Sequence, residues 1–446
     1  MKTDRRRLLA VATRLLRLTD REFLDGLSKR LERTPRSEDI PEGYSGDVLA
    51  CAGSAPHNQV VLGGPGKTEY ALPAALVLDL GGNDVYRVAA SADRWDCLAS
   101  VVLDWKGNDS YEKAAVAAGG VAVLLDRQGK DHYEGKRFTQ AAACSGFALL
   151  ADLQGDDVYR AEDFALGYAL CGLALLYDAA GDDDYSAWAY AQGAGNGPGL
   201  GALVDGGGND RYVADGHWPD VYGDSGPESF HGASQGYSSG IRPRLPGGIA
   251  ACLDLGEGED FYQSGNFSQG GGYYFALGLL YDAGGDDENH GYRYSQGFGV
   301  HQAVGLRWDA GGNDRYVTRS VASLGMAWDE GVGWFLDDAG DDQYDSGGLA
   351  LGAAAQTAVA VFVDGGGADR YQSAGDAECQ GGSGGSEYHG KPALGVLIDF
   401  GGGKDSYSRP GREDGALLGT PGCGLFLDCR EKTLERVLAR RSLSPR

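Results

Sequence analysis

Paired aspartates recur along this 446-residue chain, and their type and spacing are suited to binding cations. They belong to a motif, Asp-x-x-Gly-x-Asp-x-Tyr, which occurs twelve times with small variations. The first aspartates are Asp79, Asp104, Asp126, Asp152, Asp178, Asp205, Asp254, Asp282, Asp309, Asp337, Asp364 and Asp399. The second aspartates are Asp84, Asp109, Asp131, Asp157, Asp183, Asp210, Asp260, Asp287, Asp314, Asp342, Asp369 and Asp405. Carboxylates in such turns either ligate a hard cation such as Ca²⁺ or accept backbone N–H groups as Asx turns.

The period of the motif predicts the elements that must position these carboxylates. Most successive copies start 22 to 28 residues apart, and a fixed period in that range is typical of solenoids. A short apolar run precedes the first aspartate, as in Leu76–Leu78, and indicates a short buried strand. We therefore predict an all-β parallel β-helix, or β-solenoid, with about 12 coils of 22 to 28 residues and short capping helices at both ends. A propeller is the alternative, although its blades need about 40 residues or more.

Two further patterns accompany the aspartates. A Gln–Gly pair, such as Gln269-Gly270 or Gln296-Gly297, lies upstream of the apolar run and indicates a second turn in each coil. The tyrosine that follows most second aspartates predicts an aromatic stack along the solenoid, with a carbohydrate-binding platform as the alternative. Asn289 interrupts this series of tyrosines.

The charge distribution defines the ends of the repeat region. Residues 1–36 carry a net charge of +6 and residues 430–446 one of +4. Because the whole chain has a net charge of −25, the residues between these ends carry −35. We predict a basic helical N-terminal cap over 1–36, a linker or first irregular coil over 37–70, and solenoid repeats over 71–429. Surface insertions are expected near 213–248 and 381–393, and a C-terminal capping helix and tail over 430–446.

Composition narrows the partners and the compartment. The acidic body repels nucleic acid and anionic membranes and attracts cations, and no run of 18 apolar residues predicts a membrane span. Eight scattered cysteines without a Cys-x-x-Cys spacing favour a reducing, cytoplasmic location over secretion. Carbohydrate or protein is the partner class that these features leave open.

The glycine-rich turns resemble a known family motif. Gly81-Gly82-Asn83-Asp84-Val85-Tyr86 and Gly311-Gly312-Asn313-Asp314-Arg315-Tyr316 are similar to the calcium-binding nonapeptide of the RTX (repeats-in-toxin) proteins. The resemblance implies a calcium-loaded parallel β-roll in which the second aspartate of each turn is a ligand. RTX motifs follow one another every nine residues, however, whereas this chain has one per coil. The resemblance covers the repeated hexapeptide and not the whole chain.

The longest insertion supplies the candidate residues for an alternative function. We identify His217, Trp218, Asp224 and His231 as substrate-binding candidates, since a tryptophan can stack on a sugar ring beside polar groups. No catalytic residue is predicted. The sequence thus favours a non-enzymatic structural or binding solenoid, in which the second aspartates either bind Ca²⁺ or are satisfied by Asx turns without a metal. The alternative is a carbohydrate-active enzyme, a polysaccharide lyase or hydrolase, with its site in 215–245.

Overall fold

The chain folds as an all-β parallel β-solenoid of about 13 turns with almost no helix, which confirms the predicted fold class. A computed structural model describes residues 29–37, 39–220, 222, 229–374, 378–384, 390–420 and 422–429, together with residues 6, 22 and 26. The described residues form two compact units, Met1–Arg211 and Tyr212–Arg446. Among the described residues, no helix is long and apolar enough to cross a membrane.

A regular coil contains three strands. The first strand ends at or next to the first aspartate of the motif, and the second contains the motif's tyrosine. The third is a short strand that follows the second turn and belongs to a separate sheet. Equivalent strands of successive coils pair in parallel, so each coil adds one strand to each face.

The strands of the first unit begin with an antiparallel pair, and β2 then pairs in parallel with β3 and β4. That pair is β1 (Tyr44–Ala52) and β2 (Val60–Tyr70). The first strands of the coils are β3 (Leu76–Asp79), β6 (Ala99–Asp104), β9 (Val121–Leu125), β12 (Phe147–Ala151), β15 (Leu173–Tyr177) and β18 (Leu200–Asp205). The second strands are β4 (Val85–Tyr86), β7 (Ser110–Tyr111), β10 (His132–Glu134), β13 (Val158–Arg160) and β16 (Asp184–Ala187). The third strands are β5 (Ala89–Ala92), β8 (Ala114–Ala118), β11 (Ala142–Cys144), β14 (Tyr168–Leu170) and β17 (Gly195–Asn196).

The second unit repeats this order and ends with an antiparallel pair of β38 (Leu417–Thr420) with β39 (Gly424–Cys429). Its other first strands are β21 (Ile249–Asp254), β24 (Leu277–Asp282), β27 (Val304–Asp309), β30 (Val332–Asp337), β33 (Val359–Asp364) and β36 (Leu394–Phe400). The second strands are β19 (Arg211–Ala214), β22 (Phe261–Ser264), β25 (Glu288–Gly291), β28 (Arg315–Thr318), β31 (Gln343–Ser346), β34 (Arg370–Ser373) and β37 (Ser406–Tyr407). The third strands are β20 (Ser238–Ser239), β23 (Gly272–Tyr273), β26 (Gly299–Val300), β29 (Ala327–Trp328), β32 (Ala354–Ala355) and β35 (Ser383–Gly384).

Strand register brings the motif aspartates of neighbouring coils into line. Asp282 pairs with Asp309, Asp309 with Asp337 and Asp337 with Asp364. Paired residues in parallel strands lie about 4.8 Å apart. Side chains alternate between the two faces of a strand, and the first aspartate falls on the same face as the buried Leu280 in β24. The carboxylates therefore point into the solenoid.

Glycine is required where successive turns touch. A Cβ atom on Gly107 would lie 2.1 Å from the carbonyl oxygen of Gly82 in the preceding coil, so no side chain fits between the coils. The predicted second turn is also present. Gln269 and Gly270 both adopt positive φ, at 57° and 76°. In an earlier coil, the buried side chain of Gln140 stabilises the equivalent turn by donating from Nε2 to the carbonyl oxygen of Tyr133 at 2.7 Å.

The outer face of the first strands differs between the units. In the first unit it is a buried apolar cluster that includes Leu103, Val123 and Leu149, and Leu31 of the N-terminal segment packs against it. In the second unit the same face leaves Trp308 and Trp334 39% and 43% exposed.

The predicted helical caps fall largely outside the described residues. Residues 29–31 are helical, as are Arg6, Glu22 and Gly26. The apolar residues predicted to cover the first coil, and the predicted helix over 430–446, lie outside the described part of the chain.

Candidate functional site

Most first aspartates have protein donors for both carboxylate oxygens, whereas Oδ1 of the buried Asp337 has none. Oδ1 of Asp79 accepts the backbone N–H of Gly81 at 2.7 Å, which is the Asx turn expected from the sequence. Oδ2 accepts the phenol of the tyrosine in the preceding coil, as Tyr133 donates to Asp152 at 2.7 Å and Tyr159 to Asp178 at 2.6 Å. These aspartates thus join one coil to the previous one through the interior.

The tyrosines form the predicted stack. In the first unit, rings from Tyr70 to Tyr185 lie 4.5 to 4.8 Å apart between centroids and within 12° of parallel. In the second unit, Tyr344 and Tyr371 stack at 5.1 Å. These rings are almost fully buried, so they cannot serve as the carbohydrate-binding platform that was the alternative interpretation. Their role is to fill the interior and to donate hydrogen bonds to the first aspartates.

The second aspartates form a ladder of a different kind. The backbone N–H of Asp131 donates to Oδ1 of Asp157 in the next coil at 2.6 Å, and Asp314 donates likewise to Asp342 at 2.7 Å. Eleven of the twelve are buried, and Asp405 at the C-terminal end of the column is half-buried. All twelve residues predicted as metal ligands therefore lie in equivalent positions of their coils.

One carboxylate oxygen lacks a donor in many of the coils, although Oδ2 of Asp314 and Oδ2 of Asp342 accept from Tyr316 and Tyr344. Buried Oδ2 atoms without any hydrogen-bond partner belong to second aspartates in both units, namely Asp84, Asp109, Asp131, Asp157, Asp183, Asp287 and Asp369. The first and second aspartates of each of these motifs have four carboxylate oxygens, and the other three accept hydrogen bonds from backbone N–H groups or phenols. An unpartnered buried carboxylate oxygen is costly, because desolvation is not repaid by a hydrogen bond.

The second aspartates lie close to the first aspartates of their own coil and of the next. Two of the groups are Asp126, Asp131 and Asp152, and Asp152, Asp157 and Asp178; eleven such groups occur among the described residues. In each, one oxygen from each residue lies within 4.8 Å of the others. Two oxygens that both lie 2.3–2.6 Å from one Ca²⁺ ion are at most about 5 Å apart, so this spacing fits a shared calcium ion.

Crowding changes the acidity of the carboxyl groups. Burial, and after it the nearby Asp152 carboxylate, raise the pKa of Asp131 to about 8 and that of Asp157 to about 9. Asp152 and Asp157 also lie within hydrogen-bonding reach of each other. A bound cation and a shared proton are thus the two ways to neutralise such a pair.

Arg307 is a functional residue that the sequence interpretation missed. It is fully buried, and its Nη2 donates to Oδ2 of Asp309 at 2.7 Å. Its guanidinium lies 5.1 Å from the ring centre of Tyr262 and 5.8 Å from that of Tyr316, in the gap that Asn289 leaves in the tyrosine stack. A signal was available: strand register pairs Arg307 with Leu280 and Phe335, so a charge stands at an inward apolar position.

The substrate-binding candidates of the insertion remain predictions. The rings of His217 and Trp218 meet edge to face at 4.7 Å, and Trp218 is 39% exposed. His231 donates its backbone N–H to the carbonyl oxygen of Trp218 at 2.7 Å, and its ring lies 5.6 Å from that of Phe267. Asp224 lies outside the described residues.

Comparisons of the chain with protein-family models, with curated proteins and with solved structures return no match. The chemistry of the site must therefore be judged from its own residues.

Proposed function

We propose that this chain is a non-enzymatic β-solenoid that binds Ca²⁺ between successive coils and serves as a cation-stabilised scaffold or binding module. The proposal depends most on the Oδ2 atoms of the second aspartates, such as Asp109 and Asp131. They are buried, they recur coil after coil, and they have no hydrogen-bond partner. A structural turn alone does not need a buried carboxylate oxygen in that state, whereas a metal ligand does.

The charge of the column supports a divalent ion. Each motif contributes two buried aspartates, so one Ca²⁺ per coil would neutralise the pair without a proton. Neighbouring carboxylates about 4.8 Å apart repel each other by several kcal/mol at an effective dielectric constant near 20. Binding of a cation only to the folded state would convert that repulsion into stability.

The donor chemistry favours calcium over softer metals. The converging groups consist of aspartate oxygens, as in the triad of Asp104, Asp109 and Asp126. Oxygen-only sets suit Ca²⁺, whereas zinc sites usually include histidine or cysteine ligands. The resemblance of the turns to the RTX nonapeptide points to the same ion.

Arg307 supports the proposal from within the chain. Where the tyrosine is missing, at Asn289, a buried guanidinium takes its place and contacts a first aspartate. A covalently attached cation at this coil is what we expect if the column requires positive charge.

The proposal is tested by thermal melting of the full chain with Ca²⁺ and with a chelator. Calcium should raise the melting temperature, by an amount equivalent to about 2.7 kcal/mol at one hundred times the dissociation constant. Asp157→Asn should reduce this gain and should raise the melting temperature in chelator, because it removes a repelling charge but keeps the oxygen that accepts the N–H of Asp131.

Asp156→Asn is the matched control. Asp156 is the neighbouring residue of the same turn, but it is exposed and pairs with Lys130. It should leave the calcium response unchanged. The proposal fails if calcium and chelator give the same melting temperature, or if the two variants respond alike.

A further inference from the structure

A groove on the second unit is lined by none of the aspartates that the proposed cation sites use. It follows the third strands β23, β26, β29, β32 and β35, and it encloses about 550 Å³. Half-exposed aromatic side chains of Tyr273, Tyr294 and Trp328 line it, together with Arg293 and Gln356. Volumes of this size, with apolar walls and a few polar groups, are typical of ligand sites.

The turns beside this groove have an unusual backbone. In four successive coils, two consecutive residues other than glycine adopt positive φ: Tyr274-Phe275, His301-Gln302, Asp329-Glu330 and Gln356-Thr357. The equivalent turns of the first unit are shorter and place glycine second, as in Ser145-Gly146 and Cys171-Gly172. Large side chains disfavour this conformation, so its repetition along the groove indicates a use for the side chains it displays.

Those side chains form a row of polar contacts along the solenoid axis. His301 contacts the carboxylate of Asp329 through Nδ1, and Nη1 of Arg242 lies 2.8 Å from its Nε2. In the next residue of the same turns, Gln302 donates to Glu330 at 2.6 Å. The row offers donors and acceptors that are already oriented before any ligand arrives.

Arginine and aromatic rings also line the groove. The guanidinium of Arg293 lies 4.5 Å from the ring centre of Tyr222 and 5.0 Å from that of Tyr294. The rings of Tyr273 and His301 meet edge to face at 4.9 Å. The lining therefore presents aromatic rings beside charged and amide groups.

The chemistry of the groove restricts its ligand. A peptide that adds a strand needs a free strand edge, but β26, β29 and β32 already pair with one another along the groove floor. The strongly negative charge of the repeat region disfavours polyanions. Aromatic faces beside hydrogen-bond donors and acceptors match the C–H faces and hydroxyl groups of sugar rings. A groove that follows several coils suits an extended chain.

We propose that this groove binds a neutral oligosaccharide that lies along the solenoid axis and stacks on Tyr273 and Trp328. The site is separate from the stacked aspartates that we propose to bind Ca²⁺, because its side chains lie outside the solenoid interior. It also differs from the predicted site in the insertion, since it is built mainly from residues of the regular coils.

The test is calorimetric titration of the full chain, in calcium, with the hexasaccharides of cellulose, xylan, mannan and chitin. At least one should bind with a dissociation constant in the micromolar to millimolar range. Trp328→Ala should weaken that binding about tenfold or more, as expected for an aromatic group at the centre of a binding surface. Tyr273→Ala should weaken it in the same direction.

Trp334→Ala is the matched control, because Trp334 is an exposed tryptophan on the outer face of β30, the strand that follows Trp328 in the chain. It should leave the affinity within about twofold. Absence of binding by all four hexasaccharides overturns the proposal. Equal loss of affinity in Trp328→Ala and Trp334→Ala, or none in either, with melting temperatures unchanged, also overturns it.

Discussion

Two positions in the interior of the second unit contact the first aspartates of their coils in different ways. At Tyr344, a neutral phenol contacts Oδ2 of Asp337 at 3.0 Å and Oδ2 of Asp364 at 2.8 Å. At Asn289 the phenol is absent, and the guanidinium of Arg307 contacts Asp309 instead. The coil of Arg307 thus contains a cation of its own, whereas the coil of Tyr344 provides only a neutral hydrogen-bond donor. The difference indicates that the tyrosine coils need a cation or protons from solution.

The largest expected effect is a pH dependence of the stability in chelator. In the tyrosine coils, burial raises the pKa of Asp342 to about 9 and that of Asp369 to about 8, well above their unfolded values. The folded chain in chelator therefore binds extra protons, and this stabilisation is complete below about pH 4 and is lost as the pH rises toward 9.

Stability in chelator should fall between pH 6 and pH 9 by about 1.4 kcal/mol per pH unit for each extra proton. Calcium should flatten this dependence, because it replaces the protons. Urea unfolding across the pH range measures both curves. Two superimposable curves would show that calcium does not occupy the carboxyl pairs.

The next largest effect is expected from removing the internal cation. Arg307→Met leaves buried Asp309 without its guanidinium partner and should cost about 3–5 kcal/mol of unfolding free energy in chelator. Arg315→Met is the control, because Arg315 pairs with Glu288 at the surface and should cost at most about 1 kcal/mol. Equal losses in urea unfolding would mean that Arg307 is not needed as a cation.

A double substitution should convert the arginine coil into a tyrosine coil. Asn289→Tyr with Arg307→Leu restores the phenol and removes the charge, so in calcium it should recover about 2 kcal/mol of the loss caused by Arg307→Met. In chelator the recovery should be smaller, because the carboxylates then have no cation. If calcium stabilises the double variant no more than it stabilises the native chain, the arginine coil has not been converted into a tyrosine coil.

The smallest effects should come from single phenols. Tyr159 donates only to Asp178, whereas Tyr344 contacts Asp337 and Asp364. Replacement by phenylalanine keeps the ring stack. Tyr159→Phe leaves Oδ2 of Asp178 without its phenol donor and should cost about 1–3 kcal/mol. Tyr344→Phe should cost less in chelator melts, because Asp337 and Asp364 still accept from Tyr316 and Tyr371. The reverse order would contradict this sharing of phenols.

Much of the interior could be predicted from the sequence because it repeats. The positions of Asp309, Asp337 and Asp364 in one register follow from a fixed period and an alternating strand pattern. The buried tyrosine stack and the Gln–Gly turn follow for the same reason. Each copy of the motif adds to the signal, so small departures in single coils do not obscure it.

The departures from the repeat could not be predicted as easily. Strands of two residues, such as Gly299–Val300, are too short to show a period, so the third sheet gave no signal. Positive φ at His301 and Asp329 opposes the intrinsic preference of those residues, and only the tight turn between coils imposes it. Arg307 resembled a surface residue until the register placed it between Leu280 and Phe335, at an inward position.

A crystal structure of the protein with bound calcium, recorded at a wavelength where calcium scatters anomalously, tests the central claim most directly. We expect anomalous peaks in the interior, repeated from coil to coil, within 2.3–2.6 Å of the Oδ2 atoms of second aspartates such as Asp131 and Asp157. The coil of Arg307 should show a weaker peak or none, since the guanidinium already supplies charge. The claim would be contradicted if a crystal soaked in millimolar calcium showed no peak beside the first or the second aspartates and had Asp152 and Asp157 in direct carboxyl–carboxyl contact. Protons would then supply the neutralising charge.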